Sequence, residues 1–108
     1  MKNFKKLLSK YKLATKNQRE KEFWDIEGIL KNRLNQKFKF DLRPLKNNSK
    51  GGSFNTKADK MVFDMKDKYI IIDVEELHDY LNNNSLKVVQ LEDLLSKLEW
   101  NIVLPKKA

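Results

Sequence analysis

Basic and hydrogen-bonding residues are concentrated in one stretch of the chain, from residue 43 to residue 60. Lysine and arginine neutralise nucleic-acid phosphates, serine hydroxyls donate hydrogen bonds to them, and glycine lets the backbone approach closely. The candidate contacts in this stretch are Arg43, Lys46, Lys50, Gly51, Gly52, Ser53, Lys57 and Lys60. They predict a basic segment that grips a polyanion; the alternative is a solvated polar loop without a ligand.

A second basic segment lies at the beginning of the sequence. The first 19 residues carry seven Lys or Arg residues and no acidic residue. The candidate phosphate contacts here are Lys5, Lys6, Lys10 and Lys12. A run of charges often meets only water, but two basic segments in the same half of the chain together favour a polyanionic partner.

The charge of the chain is distributed unevenly along its 108 residues, which carry a formal net charge of +8. Residues 1–60 hold 17 Lys or Arg and 6 Asp or Glu, whereas residues 61–108 hold 6 and 9. A lysine-rich composition caused only by an AT-rich genome would enrich both halves. The asymmetry therefore predicts one face for a polyanion, with double-stranded DNA as the expected partner.

The residue inventory argues against catalysis, a metal site and a cofactor. Without cysteine there is no disulfide, no thiolate metal site and no Cys nucleophile. The sole histidine, His78, stands among acidic residues of a predicted helix, which is typical of a surface position. No phosphate-binding glycine loop, nucleophile elbow or zinc-ligand spacing occurs. We therefore expect a non-enzymatic, cytoplasmic protein with no cofactor, signal peptide or membrane span.

Two helices are expected to position the N-terminal half of the chain. Apolar residues at helical spacing predict an amphipathic helix over residues 3–14 and a second helix over residues 18–35. The residues that fix these helices are Phe4, Leu7, Leu8 and Tyr11 in the first and Phe23, Ile26, Leu30 and Leu34 in the second. Gly28 inside the second helix either weakens it or permits close packing by a neighbour.

Strands are expected in the middle of the chain and at its end. Alternating apolar and polar residues predict strands over 37–43 and 61–65, with the basic segment as a long hairpin between them. A continuous apolar run predicts a buried strand over 68–72, and Pro105 ends a last short strand over 100–104. Asp73 and Ser85 begin two further helices. Residues 1–108 are expected to form a single domain.

The order strand, helix, turn, helix, strand over residues 69–104 resembles the helix-turn-helix segment of winged-helix DNA-binding proteins. The segments that carry the resemblance are 69–72, 73–81, 82–85, 88–98 and 100–104. In size and composition the chain also resembles origin-of-transfer-binding accessory proteins of low-GC conjugative plasmids. The resemblance implies a winged-helix-like α+β fold, with N-terminal helices and a small antiparallel sheet that bears the basic hairpin. In this chain the hairpin precedes the helix pair instead of following it.

The expected recognition helix is poorly suited to DNA, because Glu92, Asp93 and Glu99 would be repelled by phosphates. We therefore expect the hairpin and the basic N-terminus to grip the DNA. The helix pair over residues 73–99 would serve as scaffold or as a contact for a protein partner. Either this helix pair or the apolar stripe of the first helix would form the interface of a homodimer. Two alternatives stay open: a phage- or plasmid-encoded inhibitor or regulator that binds a protein, and peripheral membrane binding through the helix at 3–14.

Overall fold

The chain folds around one sheet of six strands. The structure, a computed structural model, describes residues 2–31, 36–44, 56–85 and 91–106. Its elements are α1 (Lys2–Lys5), β1 (Leu8–Leu13), α2 (Lys16–Lys21), β2 (Ile26–Leu30), β3 (Lys37–Pro44), β4 (Lys60–Asp64), β5 (Lys68–Asp73), α3 (Val74–Asn83), α4 (Leu91–Lys97) and β6 (Asn101–Pro105). The strands lie in chain order across the sheet, and every neighbouring pair is antiparallel except β3 and β4.

One face of the sheet is covered by α3 and α4. Alternate residues of a strand point to opposite faces, and the residues of β4 and β5 that are buried under the helices are Met61, Phe63, Ile70 and Ile72. Leu77 and Leu81 of α3 and Leu94 of α4 pack against them. We call this side of the sheet the helix-covered face.

The opposite face has its own apolar cluster, formed by the intervening strand residues. Its buried strand residues are Leu8, Ile26, Leu30, Phe40, Val62, Tyr69 and Ile71. Phe4 of α1 packs edge-on against two rings of this face, with centroid distances of 5.3 Å to Phe40 and 5.4 Å to Tyr69. The short N-terminal helix therefore anchors the start of the chain on the sheet.

The expected winged-helix-like fold with N-terminal helices is wrong, because the structure is dominated by a mixed sheet. Residues 8–13 and 26–30 form β1 and β2, so neither the helix over 3–14 nor the helix over 18–35 exists. Leu8 pairs with Leu30, and Ile26 pairs with Phe40. These strand pairings stabilise the sheet more than the helical spacing of the apolar residues stabilises a helix. The amphipathic helix on which membrane binding depended is therefore absent from residues 8–13.

Gly28 is explained by its place in β2. A Cβ atom at this position would lie 3.1 Å from Leu8 Cδ1 and 3.2 Å from the Cα of Tyr11. Strand β1 also carries a register shift between Ser9 and Lys12 beside this point. The glycine thus permits the close approach of β1, and Gly28 does allow close packing by a neighbour, although in a strand and not in a helix.

The expected basic hairpin between the third and fourth strands is also wrong. Strands β3 and β4 are parallel, with Phe40 opposite Lys60 and Arg43 opposite Phe63. Parallel neighbours need a crossover connection, which a hairpin turn cannot supply. The connection includes residues 45–55, and the predicted contacts Lys46, Lys50, Gly51, Gly52 and Ser53 lie outside the described residues.

The second half of the chain follows the prediction closely. Strands β4, β5 and β6 form where alternation and the apolar run placed them. Asp73 caps α3, and its side chain accepts the Glu76 N–H at 3.1 Å. The Glu76 carboxylate accepts the N–H of Trp100 at 3.3 Å, which ties the start of α3 to the start of β6.

Candidate nucleic-acid interface

The register of β1, β2 and β3 brings three lysines onto one face of the sheet. Lys12 lies opposite Glu27, which lies opposite Lys39 in the next strand, while Lys37 lies opposite Ile29. Paired residues share a face, and strands are about 4.8 Å apart, so the backbones of Lys12 and Lys39 are about 10 Å apart. Lys12 and Lys37 are exposed, and the Lys39 side chain is 38% exposed. We call Lys12, Lys37 and Lys39 the β1–β3 basic face.

This face lies on the same side of the sheet as α3 and α4, but beyond the strands that those helices bury. The strand residues in the helix-covered cluster all belong to β4 and β5. Exposed cations in β1 and on the segments next to β1 and β2 extend the positive charge: Lys6, Lys10, Lys16, Arg19, Lys21 and Lys31. The β1–β3 end of the sheet is therefore the basic end of the molecule.

Lys39 is held in place by two neighbouring side chains. Its Nζ atom lies 3.8 Å from Glu22 Oε1 and 5.3 Å from the centre of the Trp24 ring. The Trp24 Nε1–H donates to the same carboxylate at 3.1 Å. The ammonium group is thus oriented before any ligand arrives, which lowers the conformational entropy lost on binding.

The predicted N-terminal contacts lie on three elements: Lys5 ends α1, Lys6 lies in the turn that follows, and Lys10 and Lys12 belong to β1. Lys6, Lys10 and Lys12 are exposed. Lys5 is half-buried, with Nζ 5.7 Å from the centre of the Tyr11 ring. Contact of these residues with DNA stays a prediction.

Arg43 and Lys60, two of the predicted DNA contacts, are engaged within the protein, whereas Lys57 is exposed. Arg43 donates to both carboxylate oxygens of Asp41, at 2.9 and 2.8 Å, and its side chain is 16% exposed. Lys60 Nζ lies 2.6 Å from Asp73 Oδ1, with its side chain 10% exposed. These two residues are ion-pair members of the fold, because carboxylates already occupy the positions that phosphates would take.

The sequence contained a signal for two residues that were not among the candidates. In a strand over 37–43, residues 37, 39, 41 and 43 share one face. That face holds Lys37 as an exposed cation and Lys39 as a partly exposed one, and it places Asp41 beside Arg43 as an ion pair. The position of Lys12 beside them could not be found in this way, because it depends on the unexpected strands β1 and β2.

A half-buried carboxyl group, that of Asp25, lies next to this ion pair. Asp25 Oδ2 accepts the N–H of Leu42 at 2.8 Å. Burial raises the pKa of Asp25 above its ordinary value of 3.8, and the nearby Asp41 carboxylate raises it further. The Leu42 hydrogen bond and the positive charges of Arg19 and Arg43 oppose this shift without cancelling it. Folding therefore favours the protonated form of Asp25.

This shift predicts that Asp25→Asn changes how stability depends on pH. A raised pKa in the folded state gives a stabilising contribution that is complete below pH 3.8 and is lost as pH rises through the folded-state value. Asparagine stays neutral and can still accept the Leu42 hydrogen bond. The free energy of unfolding of the variant, minus that of the unaltered protein, should increase as urea denaturation is repeated from pH 3.5 to pH 7. A difference that stays constant over this range would contradict the shift.

Within the described residues, no group of three or more His, Cys, Asp or Glu side chains could hold a metal ion. None of the described helices is long and apolar enough to span a bilayer.

No protein-family model, no curated protein and no solved structure matches this chain. Its function is therefore inferred from its own geometry and charge.

Proposed function

We propose that this protein binds double-stranded DNA without catalysing a reaction, and that the β1–β3 basic face is the centre of the contact. The observation that carries the proposal is the strand register that brings Lys12, Lys37 and Lys39 onto one partly exposed face. Lysines on such a face can neutralise several phosphates at once, which supplies most of the affinity of non-specific DNA binding. A cytoplasmic location is part of this proposal.

In this proposal the protein contacts DNA with a face of its β-sheet. Strands can lie in a DNA groove, and several DNA-binding proteins read DNA in this way. The face also carries Glu27, while the acidic neighbour Glu22 is already engaged by Lys39 and Trp24. Cations outnumber carboxylates on and around the face, so the local potential is positive.

The helix pair is a poor alternative surface for DNA. Helix α3 exposes Glu75 and Asp79, and Glu99 is exposed after the end of α4. Phosphates brought against these two helices would meet like charges. An accessory role at a plasmid transfer origin, a homodimer and a protein partner on α3 and α4 all stay predictions.

A fluorescence-anisotropy titration of a labelled duplex of about 20 base pairs tests the proposal. Binding should weaken roughly 10³- to 10⁴-fold between 50 and 200 mM salt, because five to eight phosphate contacts give a slope of about −4.5 to −7 in log K against log salt. No binding at 50 mM salt, or binding indifferent to salt, would overturn the proposal. In that event, a pull-down that survives nuclease treatment would point to a protein partner.

A further inference from the structure

The backbone at Phe23 has a conformation that aromatic residues rarely adopt. Its φ angle is +62°, in the left-handed region, and its side chain is 45% exposed. Phe23 directly follows Glu22, the C-terminal cap of α2, where chains most often place glycine. A bulky residue with positive φ is a strained exception. The helical spacing of the sequence predicted this side chain to be buried, whereas the structure presents it to solvent.

Hydrogen bonds on both sides fix this conformation. The Phe23 N–H donates to the Gln18 carbonyl at 3.1 Å, and the Thr56 hydroxyl donates to the Phe23 carbonyl at 3.1 Å. The Lys57 N–H donates to the Glu22 carbonyl at 2.9 Å. Trp24, the next residue, is buried, so the chain directs one aromatic ring into the core and the ring before it outward.

The segments that adjoin the Phe23 backbone carry exposed cations. Lys21 precedes it by two residues, and Lys57 belongs to the segment that is hydrogen-bonded to its backbone. Glu22 is occupied by the Trp24 Nε1–H and by Lys39, a member of the β1–β3 basic face. Phe23 therefore directly follows a residue that contacts the surface proposed to bind phosphates.

We propose that Phe23 is a nucleobase-contacting residue, whose ring stacks on a base while the surrounding lysines hold phosphates. This inference rests on the proposed function. Phenylalanine side chains inserted between base steps kink duplex DNA, and aromatic rings likewise stack on unpaired bases. A base step of a duplex and an unpaired base of a single strand offer the ring the same contact, the flat face of a base. The strain at residue 23 is then the cost of presenting the ring.

The test compares Phe23→Gly and Phe23→Trp with the unaltered protein. Glycine relieves the left-handed strain but removes the ring, so it should raise the melting temperature while it weakens DNA binding roughly tenfold. Because no cation is lost, the slope of log K against log salt should stay the same. Tryptophan keeps a stacking ring and should retain the affinity. This combination of higher stability and lower affinity would not arise from a residue that only supports the fold.

The probes are a duplex and a single strand, each with 2-aminopurine, whose fluorescence reports stacking of that base. A change that the unaltered protein produces in the duplex, and that Phe23→Gly loses, assigns insertion into a base step. The same result with the single strand alone assigns stacking on an unpaired base. DNA binding that Phe23→Gly retains within twofold, with unchanged 2-aminopurine fluorescence, overturns this inference and leaves the proposed function standing. Absence of binding by the unaltered protein overturns both.

Discussion

Replacing Lys12, Lys37 and Lys39 together with glutamine should weaken the binding of duplex DNA on the order of 100-fold at 0.1 M salt. Each lysine that neutralises a phosphate raises the DNA affinity about tenfold at this salt through the release of counterions. Neighbouring cations should restore part of the affinity that the triple variant loses. The slope of log K against log salt should fall in magnitude by about 2.7, which corresponds to three lost contacts. Anisotropy titrations at four salt concentrations measure both quantities.

The matched control removes three positive charges elsewhere. Lys66 lies in the turn between β4 and β5, Lys68 begins β5, and Lys97 ends α4. Their replacement with glutamine changes the net charge by the same amount as the triple replacement in the basic face. If binding depends on the β1–β3 basic face, the control should keep its affinity within about threefold, since only distant charges change. Equal losses in both variants would show that net charge alone governs binding.

The integrity of the fold is checked in the same experiment. Lys39 contacts Trp24 and Glu22, so its replacement removes one cation–π contact and one partly exposed ion pair. Such contacts are each worth roughly 0.5–1 kcal/mol near the surface. The triple variant should therefore melt only a few degrees below the unaltered protein. If the triple variant is still folded, its loss of DNA binding is caused by the missing interface lysines and not by unfolding.

The sequence predicted the strands of the second half because their patterns are unambiguous. Residues 61–65 alternate, and residues 69–72 form a continuous apolar run that suits a strand buried on both faces. Asp73 stands directly after that run and was identified as a helix cap. In these segments local propensity and tertiary packing favour the same structure, so the prediction was confirmed.

The strand over 37–43 was confirmed, but residues 3–14 and 18–35 were mispredicted as helices because short apolar patterns fit both periods. Phe4, Leu7 and Leu8 match a helical spacing, yet Leu8 begins a strand that pairs with β2. Within β2, Ile26 and Leu30 are four residues apart, which agrees with one helical turn and also with two strand periods. Only the neighbouring strands decide between these structures, and a single sequence does not reveal them.

For a related reason, sequence patterns do not predict whether β3 and β4 pair in parallel or antiparallel. Alternation identifies a strand and its faces, but antiparallel and parallel neighbours produce the same alternation. The 15 residues from 45 to 59 are long enough for a crossover as well as for a loop. The positions of Lys12 and Lys39 on one face follow from the whole sheet. A functional surface that spans three strands therefore becomes visible only once the topology is known.

Replacing Lys60 with methionine should lower the free energy of unfolding by about 3 kcal/mol. Lys60 Nζ lies 2.6 Å from Asp73 Oδ1, 4.6 Å from the centre of the Phe38 ring and 4.2 Å from that of Trp100. Methionine fills a similar volume, but it leaves the Asp73 carboxylate without its cation in a site where that side chain is only 25% exposed. Urea denaturation should show the loss, and the melting temperature should fall by roughly 10–20 °C.

Asp73→Asn separates the ion pair from other effects of the substitution. Asparagine caps a helix as well as aspartate does, so it can still accept the Glu76 N–H, but it carries no charge. In the Lys60→Met background it should recover about half of the lost stability, because the partly buried, unpaired charge of Asp73 is gone. A double variant no more stable than Lys60→Met would mean that the aromatic contacts of Lys60 matter more than its ion pair.

The DNA affinity of Lys60→Met distinguishes a structural lysine from a phosphate contact. If the ion pair with Asp73 is its role, the variant should bind duplex DNA with an unchanged salt slope at a temperature where it is fully folded. A lysine that left Asp73 to neutralise a phosphate would instead reduce the slope by about 0.9 on replacement. That reduction, together with unaltered stability, would place Lys60 among the DNA contacts. Loss of stability with an unchanged slope would establish that the positive charge of this half of the chain serves two separate purposes, one in the fold and one on the β1–β3 basic face.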